Sequence, residues 1–125
     1  MNAAPEVQGI GVTTKLIKSQ TLPDNTSSAT TINEFPALAS KGIFIKYKIT
    51  RGTLDRTGEF TISASTTAVG FDDIFTESGA DVGVTLTAVL DDKDSTAGNE
   101  TVAFKFTTTS TGTAATIDYQ TTIIA

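Results

Sequence analysis

Carboxylates are the residues with the greatest capacity for chemistry, and they form two clusters. The clusters contain Asp72, Asp73, Glu77 and Asp81, and then Asp91, Asp92 and Asp94. Several hard oxygen ligands close together suit Ca²⁺, and two carboxylates at a fixed separation can hydrolyse a glycosidic bond. Neither cluster has the ligand spacing of an EF-hand or a marked catalytic pair. We therefore interpret both as solvated acidic loops and expect no enzymatic activity, no metal and no cofactor.

The sequence contains no histidine and no cysteine. Ser–His–Asp triads and Cys–His pairs are therefore impossible. A zinc site would have only carboxylate ligands, which is unusual for that ion. The absence of cysteine also excludes a disulfide framework.

Charge is distributed unevenly along the chain. The net charge of −5 opposes general nucleic-acid binding, because such binding requires a basic surface. Residues 41–56 are mainly basic and residues 72–100 are mainly acidic. The alternatives are two solvated faces, or an interface in which opposite charges meet between subunits. The predicted interface residues are Lys46, Lys48, Arg51, Arg56, Asp72 and Asp73.

The strongest secondary-structure signal lies in residues 42–65. Apolar side chains alternate with polar ones on both sides of a polar stretch, residues 51–58. Alternation with a period of two is typical of a half-buried strand, and the glycines of the polar stretch favour a turn. The segment therefore predicts a β-hairpin, whose inward residues are Ile43, Ile45, Tyr47, Ile49, Phe60, Ile62 and Ala64.

Shorter alternating segments predict the remaining strands. They lie near residues 10–18, 28–34, 67–75, 82–90, 101–106 and 115–125, with a turn at residues 19–25. Threonine is the commonest residue and favours strands, whereas helical periodicity is absent. We therefore predict an all-β, antiparallel, jelly-roll-like β-sandwich of about eight strands. The predicted organisation is an N-terminal arm, residues 1–9, followed by a single domain, residues 10–125.

The sequence shows neither a membrane segment nor a secretory signal. No apolar run approaches the roughly 20 residues that span a bilayer. The first residues also lack a basic segment followed by an apolar one.

Several motifs, in this order, resemble a β module of tailed-bacteriophage virion proteins. The resemblance covers about residues 20–120. It is carried by Leu22-Pro23-Asp24-Asn25, the segment Ile43–Arg51, Gly58, the segment Gly83–Leu86, the Thr/Ser-rich segment Phe106–Gly112, and Ala115–Tyr119.

The resemblance implies a structural or adhesive role in the virion, without catalytic residues. A compact module with a short arm fits a capsid-surface decoration (cement) protein better than a fibre. We therefore expect it to bind the major capsid protein or another virion protein, after assembly in the host cytoplasm. We also expect a homo-oligomer, with a trimer as the first hypothesis. The alternatives are a tail-associated, receptor-binding fibre tip and a carbohydrate-binding β-sandwich.

Overall fold

The computed structural model describes residues 17–37, 41–92 and 100–124, which form eight antiparallel strands. One sheet has five strands in the order β1-β8-β3-β4-β5, and the other has three in the order β2-β7-β6. The two sheets pack face to face, so the predicted all-β sandwich is confirmed. The strands are β1 (Lys18–Leu22), β2 (Thr30–Pro36), β3 (Lys41–Arg51), β4 (Leu54–Ala64), β5 (Val69–Ser78), β6 (Val84–Asp92), β7 (Glu100–Thr108) and β8 (Ala115–Ile124).

The chain path is nested. The first strand pairs with the last strand, and β2 pairs with β7, so residues far apart in sequence are neighbours in each sheet. Such nesting is found in jelly-roll-like sandwiches. It means that the two sheets can close over one core only after the whole domain has been assembled.

The predicted hairpin is formed by β3 and β4. Its pairs extend without interruption from Lys41 opposite Ala64 to Arg51 opposite Leu54. The turn is shorter than the predicted residues 51–58, because the second strand begins again at Leu54. A two-residue turn suffices because Gly52 adopts a positive φ of 62°, a conformation that glycine accepts without steric cost.

A second turn is also shorter than predicted. Residues 19–22, which were expected to be part of a turn, belong to β1, and Leu22 is fully buried opposite Ala115. The turn is confined to residues 23–25, where Asn25 has a positive φ of 56°. The predicted arm, residues 1–9, and most of the predicted first strand, residues 10–16, lie outside the described residues.

The core contains the inward residues of both sheets. At its centre the Phe104 ring lies 5.0 Å from the Phe60 ring and 6.1 Å from the Tyr119 ring, measured between centroids. Phe104 therefore joins the three-stranded sheet to both β4 and β8. The inward residues predicted for the hairpin are all buried, and the rest of the core includes Leu22, Phe35, Val82, Val84, Leu86, Val102, Phe104, Phe106, Ile117 and Tyr119.

We expect the substitution Phe104→Ala to lower the free energy of unfolding by about 3–5 kcal/mol, because it removes a fully buried ring and leaves a cavity between the sheets. Urea unfolding measures this loss. Phe71→Ala is the matched control, since Phe71 is 46% exposed and should cost clearly less. Equal losses at the two positions would contradict the assignment of Phe104 to the centre of the core.

Candidate functional site

The six residues predicted to form an interface do not share one surface. Successive side chains of a strand point to opposite faces of the sheet, and the strand register assigns three of the six to each face. Lys46, Lys48 and Asp72 are exposed on the outer face of the five-stranded sheet. The inner face carries Arg51, Arg56 and Asp73.

Arg51 ends β3 and is buried, with 4% of its surface exposed. Its Nε donates to the carbonyl of Thr113 at 2.8 Å, and its Nη1 donates to the carbonyl of Val82 at 2.9 Å. Its Nη2 donates to Asp24 Oδ1 at 2.6 Å and to the carbonyl of Thr109 at 2.7 Å. One side chain thus connects the hairpin to three loops at the same end of the sandwich.

Asp24, in the loop that follows β1, also takes part in this link. Its carboxylate accepts hydrogen bonds from the backbone N–H groups of Thr111 at 2.8 Å and Gly112 at 3.0 Å. The N–H of Thr111 is the main cause that holds the pKa of Asp24 below its ordinary value, and Gly112 and Arg51 act in the same direction. The carboxylate is therefore charged at neutral pH and remains paired with Arg51.

Arg56 makes a second link, from the beginning of β4. Its Nη1 donates to the carbonyl of Val84 at 2.8 Å, and both Nε and Nη2 lie 3.1 Å from Glu77 Oε2. Asp81 Oδ1 lies 3.4 Å from Nη2, and the guanidinium lies 4.0 Å above the centroid of the Phe75 ring. Arg56 therefore joins the end of β5 to the beginning of β6.

Both arginines are buried and have their described partners within the same chain. The planar guanidinium presents several donors in a fixed geometry, which suits carbonyls and carboxylates from different loops. The burial therefore favours a role in stabilising turns at these two positions over the predicted interface role. Among the described residues, no group of three or more carboxylates could hold a metal ion.

Tyr47 and Asp73 form a polar pair beside Arg56. The Tyr47 hydroxyl donates to Asp73 Oδ1 at 2.7 Å. Burial is the main cause that raises the pKa of Asp73, and it also raises the pKa of Tyr47, together with the adjacent carboxylate. The pair spans Gly58 on the strand between them. A Cβ atom there would lie 2.8 Å from the Tyr47 hydroxyl oxygen and 2.7 Å from Phe75 Cβ, so only glycine fits.

The cleft between β5 and β6 is the main concave feature near this pair. It has a volume of about 380 Å³, and Arg56, Asp73, Phe75 and Leu86 contribute to its walls. The arginine and the carboxylate both have partners within the chain. The cleft therefore offers apolar surface and polar groups that are already hydrogen-bonded.

Charges on the outer face of the five-stranded sheet compensate one another. Lys46 lies opposite Glu59 on β4, and Lys48 lies opposite Asp118 on β8. Opposite charges in directly opposed positions are weakly favourable. The outer face is consequently a surface of mixed charge rather than the basic patch that the local sequence suggested.

Strand β5 forms one edge of the five-stranded sheet and exposes three large apolar side chains. Phe71 is 46% exposed, Phe75 is 44% exposed, and both face the inner side, while Ile74 is 69% exposed on the outer face. Among the described strands, β5 pairs with β4 alone. The sequence had suggested a strand here, but not its position at an edge, which depends on the order of strands in the sheet.

No protein-family model matches this sequence, and searches of curated proteins and of solved structures also find no match. Over residues 17–37, 41–92 and 100–124, no helix has the length and apolar character needed to cross a membrane.

We expect Arg51→Ala to lower the free energy of unfolding by about 3–5 kcal/mol, because it leaves Asp24 without its counter-charge and several loop carbonyls without their donor. Arg51→Lys retains the charge without the planar geometry and should be intermediate. Lys48→Ala, an exposed cation on the same strand, is the control and should change stability by less than about 0.5 kcal/mol. Similar effects of Arg51→Ala and Lys48→Ala in urea unfolding would contradict the structural role of Arg51.

The raised pKa of Asp73 predicts a distinct pH dependence. Because the folded chain retains this proton to higher pH, the contribution to stability is complete below the ordinary pKa of 3.8 and is lost as pH rises through the folded pKa. Asp73→Asn removes this titration and keeps an oxygen acceptor for Tyr47. Its stability relative to the wild type should therefore increase between pH 3.8 and neutrality. Asp72→Asn, on the exposed outer face, should show a smaller change in urea unfolding over that range.

Proposed function

We propose that this protein is a structural component of a tailed-bacteriophage virion, and specifically a decoration protein that binds and stabilises the capsid. The observation that carries the proposal is the set of large apolar side chains exposed along an edge strand of a compact β-sandwich. Exposed apolar groups on a sheet edge favour association with another protein chain, as expected of a subunit in a repeating assembly. The motif resemblance to virion β modules supports the same assignment. The partner would be the major capsid protein or another virion protein.

The internal hydrogen bonds of the polar residues in the cleft also favour a structural role. The buried guanidinium of Arg56 is bonded within the chain, and so is the Asp73 carboxylate. A sugar-binding or hydrolytic cleft needs donors and acceptors that are available to the ligand. Assembly on a shell does not need them, because main-chain edges and surface side chains supply the contacts.

The outer face of the five-stranded sheet is the surface that we assign to the capsid. Lys46, Lys48 and Asp72 are exposed there among residues of both charges. A mixed-charge surface gives orientation and specificity when it meets a complementary one. Many weak contacts of this kind, repeated over a shell, can stabilise the particle even though each one is modest.

Location in the virion tests this proposal directly. An antibody against the purified protein should label the heads of virions from the phage that encodes it, as seen by electron microscopy. Particles that lack the protein should lose their DNA at a lower temperature, and adding the purified protein should restore the wild-type temperature. The double variant Lys46→Glu/Lys48→Glu should restore it less well, because it reverses the charge of the proposed contact surface.

The alternative outcomes separate the other functions. Label confined to the tail would exclude the capsid placement and favour a receptor-binding tip, for which a glycan-dependent rise in melting temperature is the next measurement. Absence of label from virions would contradict the virion role altogether. Lys41→Glu, at the beginning of the same strand, has the same charge change as the single variant Lys48→Glu, and this pair controls for a non-specific effect of lost positive charge.

A further inference from the structure

We propose that two copies of this protein associate by antiparallel pairing of their β5 strands, which joins two five-stranded sheets into one continuous sheet. The inference deepens the proposed structural role by naming the surface through which the copies contact each other. It rests on three properties of Val69–Ser78: its exposed side chains, the edge on which no other described strand pairs with it, and the positions of its acidic residues.

The β5 edge lacks most of the features that normally prevent strand pairing. Proteins protect exposed edges with charged side chains, especially lysine, and with proline, short strands or bulges. Of these features β5 has only the charges of its acidic residues. β5 contains neither lysine nor proline, and its pairing with β4 continues from Val69 to Ser78 without a register shift. Exposed apolar side chains project from both of its faces, so a second strand would cover apolar surface on each side of the sheet.

The direction of the main-chain groups follows from the hairpin. A two-residue turn places Arg51 and Leu54 in a hydrogen-bonded pair, and such pairs alternate along antiparallel strands. Residues of β4 that do not bond to β3 bond to β5 instead, so the alternation continues into β5. The N–H and C=O groups of alternate β5 residues therefore point toward its other edge. Those residues are Val69, Phe71, Asp73, Phe75 and Glu77. The N–H of Asp73 donates to Asp72 Oδ1 at 3.0 Å in the single chain, and pairing would replace this local bond.

In a twofold contact the main-chain groups of the two edges must face each other, and side chains of the same face must lie opposite one another. Both conditions require opposed residues to be an even number of positions apart in sequence. One residue therefore lies opposite its own copy, and the symmetry axis passes between the two. An axis at Asp72 or at Asp73 places a carboxylate directly opposite its own copy, which is unfavourable. An axis at Phe75 places Asp73 opposite Glu77 of the second copy. An axis at Ile74 avoids every direct opposition of acids and still pairs most of the strand, from residue 70 to residue 78.

In this register Ile74 lies opposite Ile74 of the second copy at the centre of the contact, on the outer face. On the inner face Phe75 lies opposite Asp73 of the second copy, so each carboxylate there faces an aromatic ring rather than another acid. The pairing would form about eight main-chain hydrogen bonds. The acidic residues near the axis still repel at a distance, so association should strengthen as salt is added.

We assign a second copy to this edge because its own sequence offers a long antiparallel register in which the main-chain groups and faces match and no acid lies directly opposite another acid. Such a contact is isologous, and it closes with two subunits. The expected species is therefore a dimer, in place of the trimer that was the first hypothesis from the sequence. The lysine-bearing outer face remains available for a different partner.

Disulfide trapping tests the register. The chain has no cysteine, so Ile74→Cys introduces one thiol, located on the proposed axis. Opposed residues of a pair without mutual hydrogen bonds have Cα atoms about 4.5 Å apart, within disulfide range. Thr76→Cys is the matched control on the same face. Its two copies would be offset by four residues, roughly 14 Å, which no disulfide can bridge.

We expect Ile74→Cys to form a covalent dimer under mild oxidation at least about tenfold faster than Thr76→Cys, as judged by non-reducing gel electrophoresis. Wild-type protein should sediment as a dimer, and Ile74→Lys should sediment as a monomer that remains folded, with an unchanged far-UV circular dichroism spectrum. Cross-linking that is equal at the two positions, or a monomeric wild type, would overturn the inference. Either result would leave the virion labelling unaffected, so the proposed function and the dimer contact can fail independently.

Discussion

The burial of Arg51 and Arg56 is the interaction on which the rest of the structure depends. Each of these residues is only 4% exposed, so its guanidinium must be neutralised and hydrogen-bonded inside the fold. Asp24 supplies the counter-charge for the first, and Glu77 with Asp81 supplies it for the second. Other segments supply the carbonyl acceptors: Val82, Thr109 and Thr113 for Arg51, and Val84 for Arg56. Two side chains of a single hairpin therefore set the positions of all these segments.

This arrangement fixes one end of the sandwich. It also explains why the contacts of β5 differ between the two ends of that strand. Arg56 connects Glu77, near the end of β5, to Val84, at the beginning of β6. The first part of β5 has contacts of a different kind, in which Phe71 stacks on Phe60 with ring centroids 5.3 Å apart and yet remains half exposed. Polar links hold the sheets together at the arginine end, and aromatic contacts take over along the strand.

The sequence predicts the strands well where apolar alternation is uninterrupted, as in Ile43 to Ile49, and less well where charge occupies an inward position. Arg51 is two residues beyond Ile49 and therefore also points inward. Arg56 lies directly opposite Ile49 on β4 and points to the same face. Their polar character nevertheless made them look like turn residues. The edge position of β5 depends on strand order, which is a non-local property that alternation does not encode. The pairing of Tyr47 with Asp73 depends on the same order and on the absence of a side chain at Gly58.

Polar and apolar side chains are placed in opposite ways in the described structure. The two arginines are buried and committed to internal contacts, whereas three large apolar residues of β5 remain accessible. Acids at Asp72 and Asp73 accompany those apolar residues on the same strand. In the proposed pairing they have a selective role: like charges penalise most registers of an otherwise adhesive edge and leave one long register open. An edge with the same apolar residues and no acids would pair in several registers, which is the behaviour of aggregating strands rather than of a defined assembly.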